Sequence, residues 1–412
     1  MAEALAGADG GADRPWGYAA LLRVPGARAF VSAGFLGRLP MSMLGLGVVV
    51  LVSDIRHSYA LAGAVSATLT CAGALGSPAL GALADRIGQR STLLASLPHV
   101  VALTVLGALI LRHAPVWTLF PAAALTGALL PPVSSMLRAR WTFLLGGGTP
   151  AAEQAYAFEA VVDELVFIAG PVLVTTLGGA IAPVSGLVCS GAFVLAGCLL
   201  LLTQRRTEPP LHAGERKGSG VLRIAGMRVL VAASAVTALA LGTIDVGMVA
   251  FAGDHGVPAL SGLLLACVAA GSGSSAIWYG RRQWRAPLHR RFLLGLAFLV
   301  LSTVPLSLAR SLGAMVPLAF LAGTAISPVM IAGFGLVERL VPRAVLTEGF
   351  TWLSTALGFG VGMGVTLSGR TIDALGVSRA FLLCPCAVLA GGLLGLSGLR
   401  ALRAQAPPAG PS

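Results

Sequence analysis

The chain alternates between apolar blocks of about twenty residues and short polar breaks, and twenty is the length a helix needs to cross the hydrocarbon core of a bilayer. Twelve such blocks are readable, at roughly 29–52, 59–82, 91–111, 115–136, 157–180, 183–203, 229–251, 259–279, 291–309, 313–336, 349–369 and 377–398. No ten-residue alternation of the kind that builds membrane barrels is present. In lipid the backbone must then satisfy its own polar groups within helices. The pattern predicts an all-α membrane protein of twelve transmembrane helices.

Composition sharpens this picture. Of the 412 residues 56% are hydrophobic and only 11% charged, too few to dress a soluble protein of this length. The net charge of +12 would suit a nucleic-acid binder, but the charges sit in short loops between spans, so the partner is the lipid bilayer and no nucleic acid is expected. With both termini inside, the cytoplasmic segments hold 22 of the 28 lysines and arginines and the outer loops five. That asymmetry is the positive-inside signature and orients the chain in a cytoplasmic membrane with both termini cytoplasmic. The first 26 residues lack a basic start followed by an apolar core, so the first span is expected to act as its own targeting signal.

Chemistry of other classes finds little support. The six cysteines lie in apolar runs and read as small packing residues. Cys384 and Cys386 are two apart, which on a helix points them to different faces, so no metal site is expected. The histidines (57, 99, 113, 212, 255 and 289) are scattered, and no phosphate-binding G-x-x-x-x-G-K-[ST] loop occurs. The reading is of a protein that is not an enzyme and needs no cofactor, with ATP excluded as its direct energy source.

The chain repeats itself. RVPGARAFVSAGFLGR (23–38) aligns without gaps on RIAGMRVLVAASAVTA (223–238), placing Arg23, Gly26 and Arg28 over Arg223, Gly226 and Arg228. LTGALLPPV (125–133) aligns on LAGTAISPV (321–329), with Gly127 over Gly323 and Pro132 over Pro328. Between the copies runs RRTEPPLHAGERKGSG (205–220), rich in proline, glycine and charge as a flexible linker should be. The organisation expected is an N-terminal half 1–204, a cytoplasmic linker 205–222 and a C-terminal half 223–412. Parallel halves of this kind enclose a substrate site and rock around it.

One decapeptide stands out. GALADRIGQR (81–90) concentrates Asp85, Arg86 and Arg90 between Gly81 and Gly88 in an otherwise uncharged neighbourhood. The glycines permit a tight turn and the arginines hold the loop inside. Asp85 asks for more, because an acid here can cap a helix N-terminus in one conformation and release it in another. The stretch resembles the signature loop of the major facilitator superfamily, of form G-x-L-a-D-R-x-G-x-[RK]. Gly81, Leu83, Asp85, Arg86, Gly88 and Arg90 match, while Gln89 stands where a basic residue is usual. Its second-half counterpart, SAIWYGRRQWR (275–285), is degenerate. The resemblance extends over twelve spans, two halves and a central basic loop. It implies a transporter working as a monomer, with Gly81, Asp85, Arg86, Gly88 and Arg90 forming a conformational latch. By geometry the partner of Asp85 falls at the start of the eleventh helix, near Thr347 to Gly349.

Ionisable residues within spans are costly and usually functional. Arg38 lies about ten residues into the first helix, and Asp163 and Glu164 lie at a similar depth in the fifth. These are expected to cluster. Adjacent helical residues diverge by about 100°, so one acid can meet Arg38 while the other faces elsewhere. Glu159 shares the face of Asp163, one turn nearer the cytoplasm. The cluster reads either as a substrate and proton coupling site or as an ion pair that only packs the two helices. Asp245, in the outer half of the seventh helix, is a further coupling candidate. GPVLVTTLGG (170–179) partly resembles the family's antiporter signature, through Gly170 and Pro171, with its paired glycines displaced. The fourth helix lacks the arginine frequent in proton-coupled exporters; Arg138 and Arg140 fall at its inner end. In the eleventh helix Thr351, Trp352 and Thr355 are candidates to line the cavity, and Gly358, Gly360, Gly362 and Gly364 give the small-residue spacing of close helix contact. His99 falls on a helix that faces lipid in the resembled fold and reads as incidental.

Together these features point to a secondary active transporter of small organic molecules, with export driven by protons as the leading reading. Import or facilitated passage of a sugar or organic acid is the alternative, and a transport-inactive membrane sensor or scaffold is the alternative of another class. Asp85→Asn is expected to cripple transport while leaving insertion intact; wild-type flux at equal membrane abundance would overturn the latch.

Overall fold

The computed structural model describes residues 18–211, 220–257, 260–282 and 284–404. Arg14, the linker residues 212–219 and Gln283 lie outside the described residues, together with the parts of the charge pattern they carry. Among the described residues there is no strand, and twelve helices are long and apolar enough to span a membrane. They are α1 (Ala27–Arg56), α2 (Leu61–Ile87), α3 (Gln89–Leu111), α4 (Val116–Leu145), α5 (Pro150–Ala180), α6 (Ser185–Thr203), α7 (Ala225–Asp254), α8 (Ser261–Arg281), α9 (Leu288–Leu308), α10 (Leu312–Leu340), α11 (Arg343–Leu375) and α12 (Val377–Ser397).

Each hydropathy block thus becomes one helix, but several helices outrun their blocks. At 1.5 Å per residue, the 31 residues of α5 reach about 46 Å, well beyond a hydrocarbon core of about 30 Å. Its first turns, PAAEQAY, are polar enough to fall outside any apolar window. The same holds for the C-terminal end of α4, which continues through two arginines to Leu145. Local chemistry sets other boundaries. The Ser58 hydroxyl caps α2 by accepting from the Leu61 N–H, and Ser311 does the same for α10 through Ala314. α4 breaks between Ala128 and Val133, where Pro131 and Pro132 together remove two N–H donors. α10, with the single Pro328 at the corresponding repeat position, stays continuous. Gly88 alone separates α2 from α3, with φ 93°, a value that glycine tolerates and other residues rarely adopt.

The chain divides into two compact units. One comprises residues 19–145 together with 162–211; the other comprises Tyr18, residues 146–161 and the described residues from 220 onward. α5 therefore begins in one unit and ends in the other. Within the first unit α1 packs on α6, α2 on α4, and α3 on both α4 and α6. Within the second, α7 packs on α12, α8 on α10, and α9 on both α10 and α12. The two sets of pairings correspond helix for helix, as the sequence repeat requires.

The contacts are backbone to backbone. A Cβ at Gly127 of α4 would strike the Leu69 carbonyl of α2, and one at Gly323 of α10 would strike the Val268 carbonyl of α8. These two glycines were aligned by the repeat and fill the same role. In α11, Gly360 and Gly364 press on the Ala235 and Leu239 carbonyls of α7, while Gly358 and Gly362 meet nothing within 4 Å. Only one face of the glycine run is a contact. Lipid tails give apolar side chains no reason to leave them, so close approach of small residues supplies the packing. His99 corrects its sequence reading: it is fully buried, and its Nδ1 lies 2.8 Å from the Thr126 carbonyl, tethering α3 to α4.

Gly127→Leu and Gly323→Leu should each cost at least about 1–3 kcal/mol through overpacking, lowering the unfolding temperature in detergent. Gly358→Leu should leave it unchanged.

Candidate functional site

The charged residues of the first unit meet on three helices. The Asp163 carboxylate of α5 accepts from Arg38 Nη1 of α1 at 2.9 Å and from Arg138 Nη2 of α4 at 2.6 Å. The Ser134 hydroxyl adds a longer contact to the same carboxylate at 3.4 Å. Arg38 and Arg138 are 2% and 3% exposed, whereas the Asp163 side chain keeps 20%. Buried guanidiniums are tolerable only when paired, and this carboxylate is shared by two of them. One turn along the same seam the Ser42 hydroxyl donates to the Val166 carbonyl at 2.8 Å. Gly170 then lies directly against Ser42, where any side chain would collide, and Pro171 follows with no N–H to lose. The Gly-Pro pair is what lets α5 lie this close to α1.

Arg138 is the residue sequence reasoning missed. It was grouped with the inner loop because the apolar block of α4 ends near 136. The signal was present in WTFLL (141–145), an apolar run just beyond the arginines that shows the helix continuing. Glu164, one position round from Asp163, is half-buried and has an interaction of its own. Glu159 is fully buried.

The signature loop is anchored by a second network. Arg140, 1% exposed, donates from Nε to the Gln89 amide oxygen at 2.8 Å and from Nη1 to the Thr207 hydroxyl at 2.9 Å. The Gln89 amide nitrogen in turn donates to the Met136 carbonyl at 3.0 Å. Gln89, which departs from the basic residue usual in such loops, is the neutral partner that a neighbouring buried arginine demands. The linker joins in through Glu208, whose Oε1 accepts the Arg90 backbone N–H at 3.0 Å. Gly81 is buried, Asp85 half-buried and Arg86 exposed, the last two engaged in interactions of their own.

In the second unit the extra turns of α5 bring residues that no motif announced. Glu153 accepts from both terminal nitrogens of Arg291 on α9, at 2.7 and 2.8 Å, and Arg291 also donates to the Tyr279 hydroxyl of α8 at 3.0 Å. The Tyr156 hydroxyl donates to Glu338 of α10 at 2.8 Å, and the Gly148 N–H donates to the same carboxylate. Tyr18 donates to the Ala276 carbonyl at 3.1 Å, and burial pushes its phenol up to about 12. Asp245 is exposed on α7 with no polar partner among the described residues. Trp352 is half-buried with its indole N–H 3.4 Å from Glu348, and Thr355 is half-buried. Thr351 is fully buried with its hydroxyl donating to the Thr347 carbonyl, which leaves it no surface to offer a ligand.

Gln89→Lys, which restores the basic residue of the signature, should place a second cation against buried Arg140 and cost about 2–4 kcal/mol. A lowered unfolding temperature in detergent is the expected reading; an unchanged one would show that the Arg140–Gln89 bond holds nothing.

No curated protein sequence matches the chain significantly. Solved structures do. A bacterial homologue of the iron transporter ferroportin superposes with a TM-score of 0.71 at 16% identity, covering 90% of this chain and 99% of that one. The human organic anion transporter MFSD10 gives 0.68 at 17% identity, covering 89% and 99%. The Escherichia coli fucose:proton symporter FucP gives 0.70 at 14% identity, covering 92% and 99%. At these identities the likeness is one of fold. The family model of the Major Facilitator Superfamily matches residues 30–316, more than half of the chain. This twelve-helix, multi-pass membrane protein belongs to the Major Facilitator Superfamily of transporters.

Proposed function

We propose that the protein exports small organic molecules in exchange for protons, working as a monomer in the cell membrane with both termini in the cytoplasm. The observation that carries this reading is the single carboxylate of Asp163 shared by Arg38 and Arg138 within the spans. A proton arriving on Asp163 would remove the negative charge from both arginines at once. Both buried cations would then lose the anion they share, a loss that a change of conformation or a bound substrate offsets. Proton occupancy is in this way tied to the arrangement of α1, α4 and α5. Asp245, exposed on α7 with no hydrogen bond or ion pair among the described residues, is a second position from which substrate or proton is held. The halves 1–204 and 223–412 rock about the site, with Asp85 latching the start of α11 in one state. Export is supported by the partial resemblance of Gly170 and Pro171 to the family's antiporter signature, and Gly170 fits α5 closely to α1.

The test is proton flux in reconstituted vesicles that contain a pH-sensitive dye, challenged with lipophilic cations, antibiotics, sugars and amino acids. Substrate-triggered proton movement, abolished in Asp163→Asn at equal reconstitution, is the expected result. Tracer transport without proton movement would overturn the coupling and return the cluster to a packing role.

A further inference from the structure

We propose that the cleft between the α2–α3 turn and the start of the central linker binds the headgroup of one anionic phospholipid of the inner leaflet. The cleft has a volume of about 550 Å³ and lies entirely within the first unit. Arg90 and Arg205 line it, with Glu208 and Ser91. Neither guanidinium has a partner among the described residues. Glu208 is committed to the Arg90 backbone N–H, so the cleft carries one net positive charge, which a single phosphodiester matches.

Its remaining walls are apolar: Ile87, Leu94, Leu202 and Leu211, with Pro209 and Pro210. An aqueous anion gains nothing from such walls, but a lipid does. From the cleft an exposed stripe runs along α3 through Leu94, Leu97, Val101 and Val105, spaced three and four residues apart and so on one face. α6 packs beside α3 and presents exposed Leu199 and Leu200 near its inner end. Headgroup charge and acyl surface are thus continuous. The charge pattern assigns this face to the cytoplasm, where anionic lipid is attracted to clustered arginine. Any inner loop carries arginines; what distinguishes this one is a cleft whose guanidiniums are left unpaired at the head of an apolar groove.

Purified full-length protein in detergent, offered equimolar phosphatidylglycerol and phosphatidylcholine, would be examined by native mass spectrometry. One phosphatidylglycerol should be retained in preference by about 25-fold, from two arginines at about fivefold each. Arg205→Gln should reduce the preference about fivefold, and Arg90→Gln with Arg205→Gln should abolish it. Ser91→Glu, at an exposed rim position, should abolish it while leaving both arginines in place. Each variant must match the wild-type unfolding temperature in lipid-free detergent, and Ser91→Glu decides the matter if the arginine variants do not. Equal retention of the two lipids, or a preference surviving in Ser91→Glu, would overturn the proposal. So would displacement by millimolar inorganic phosphate, which would assign the cleft to a free anion.

Discussion

The carboxylate of Asp163 is the point on which one whole unit turns. An aspartate and two arginines have been taken out of water within helices that cross a membrane, and none of the three is tolerable there alone. Together they fix α1, α4 and α5 to one another with hydrogen bonds of 2.6 and 2.9 Å. The arrangement is also unequal. Two guanidiniums share this one anion.

Around this point the packing is made by what is missing from side chains. Gly170 admits Ser42, Gly127 and Gly323 admit carbonyls of the neighbouring helices, and Gly360 and Gly364 admit α7. Helices in lipid gain from close backbone approach because their apolar side chains are already solvated by lipid tails. The internal repeat is visible in this detail: the same glycine, on the same helix of each half, serves the same crossing.

The polar ends of the helices carry a different layer of organisation. In the first unit Arg140 ties the signature loop, through Gln89, to the first residues of the linker at Thr207. In the second, the first turns of α5 carry Glu153 and Tyr156 to Arg291 and Glu338. Both arrangements involve residues just beyond the apolar blocks, where a helix can hold charge because water or a partner is close.

The sequence by itself determined the twelve helices, the internal repeat, the family and the approach of Arg38 to Asp163. Each follows from a quantity that is local or periodic: hydropathy over about twenty residues, an offset near 200, a motif, or equal depth along two spans. Tertiary structure decided the rest. Nothing local to Arg138 says that it meets Asp163, because α4 had first to continue past its apolar block. Nothing local to Gln89 says that it is an arginine's partner, and His99 looked incidental until α4 was laid against it. Thr351, polar and well placed along the sequence, turned inward to its own helix. Hydropathy reports how far a residue is from water on average. Which buried polar group answers which other depends on helix rotation and on where helices end, and those are set by the glycine contacts that only the packed chain contains.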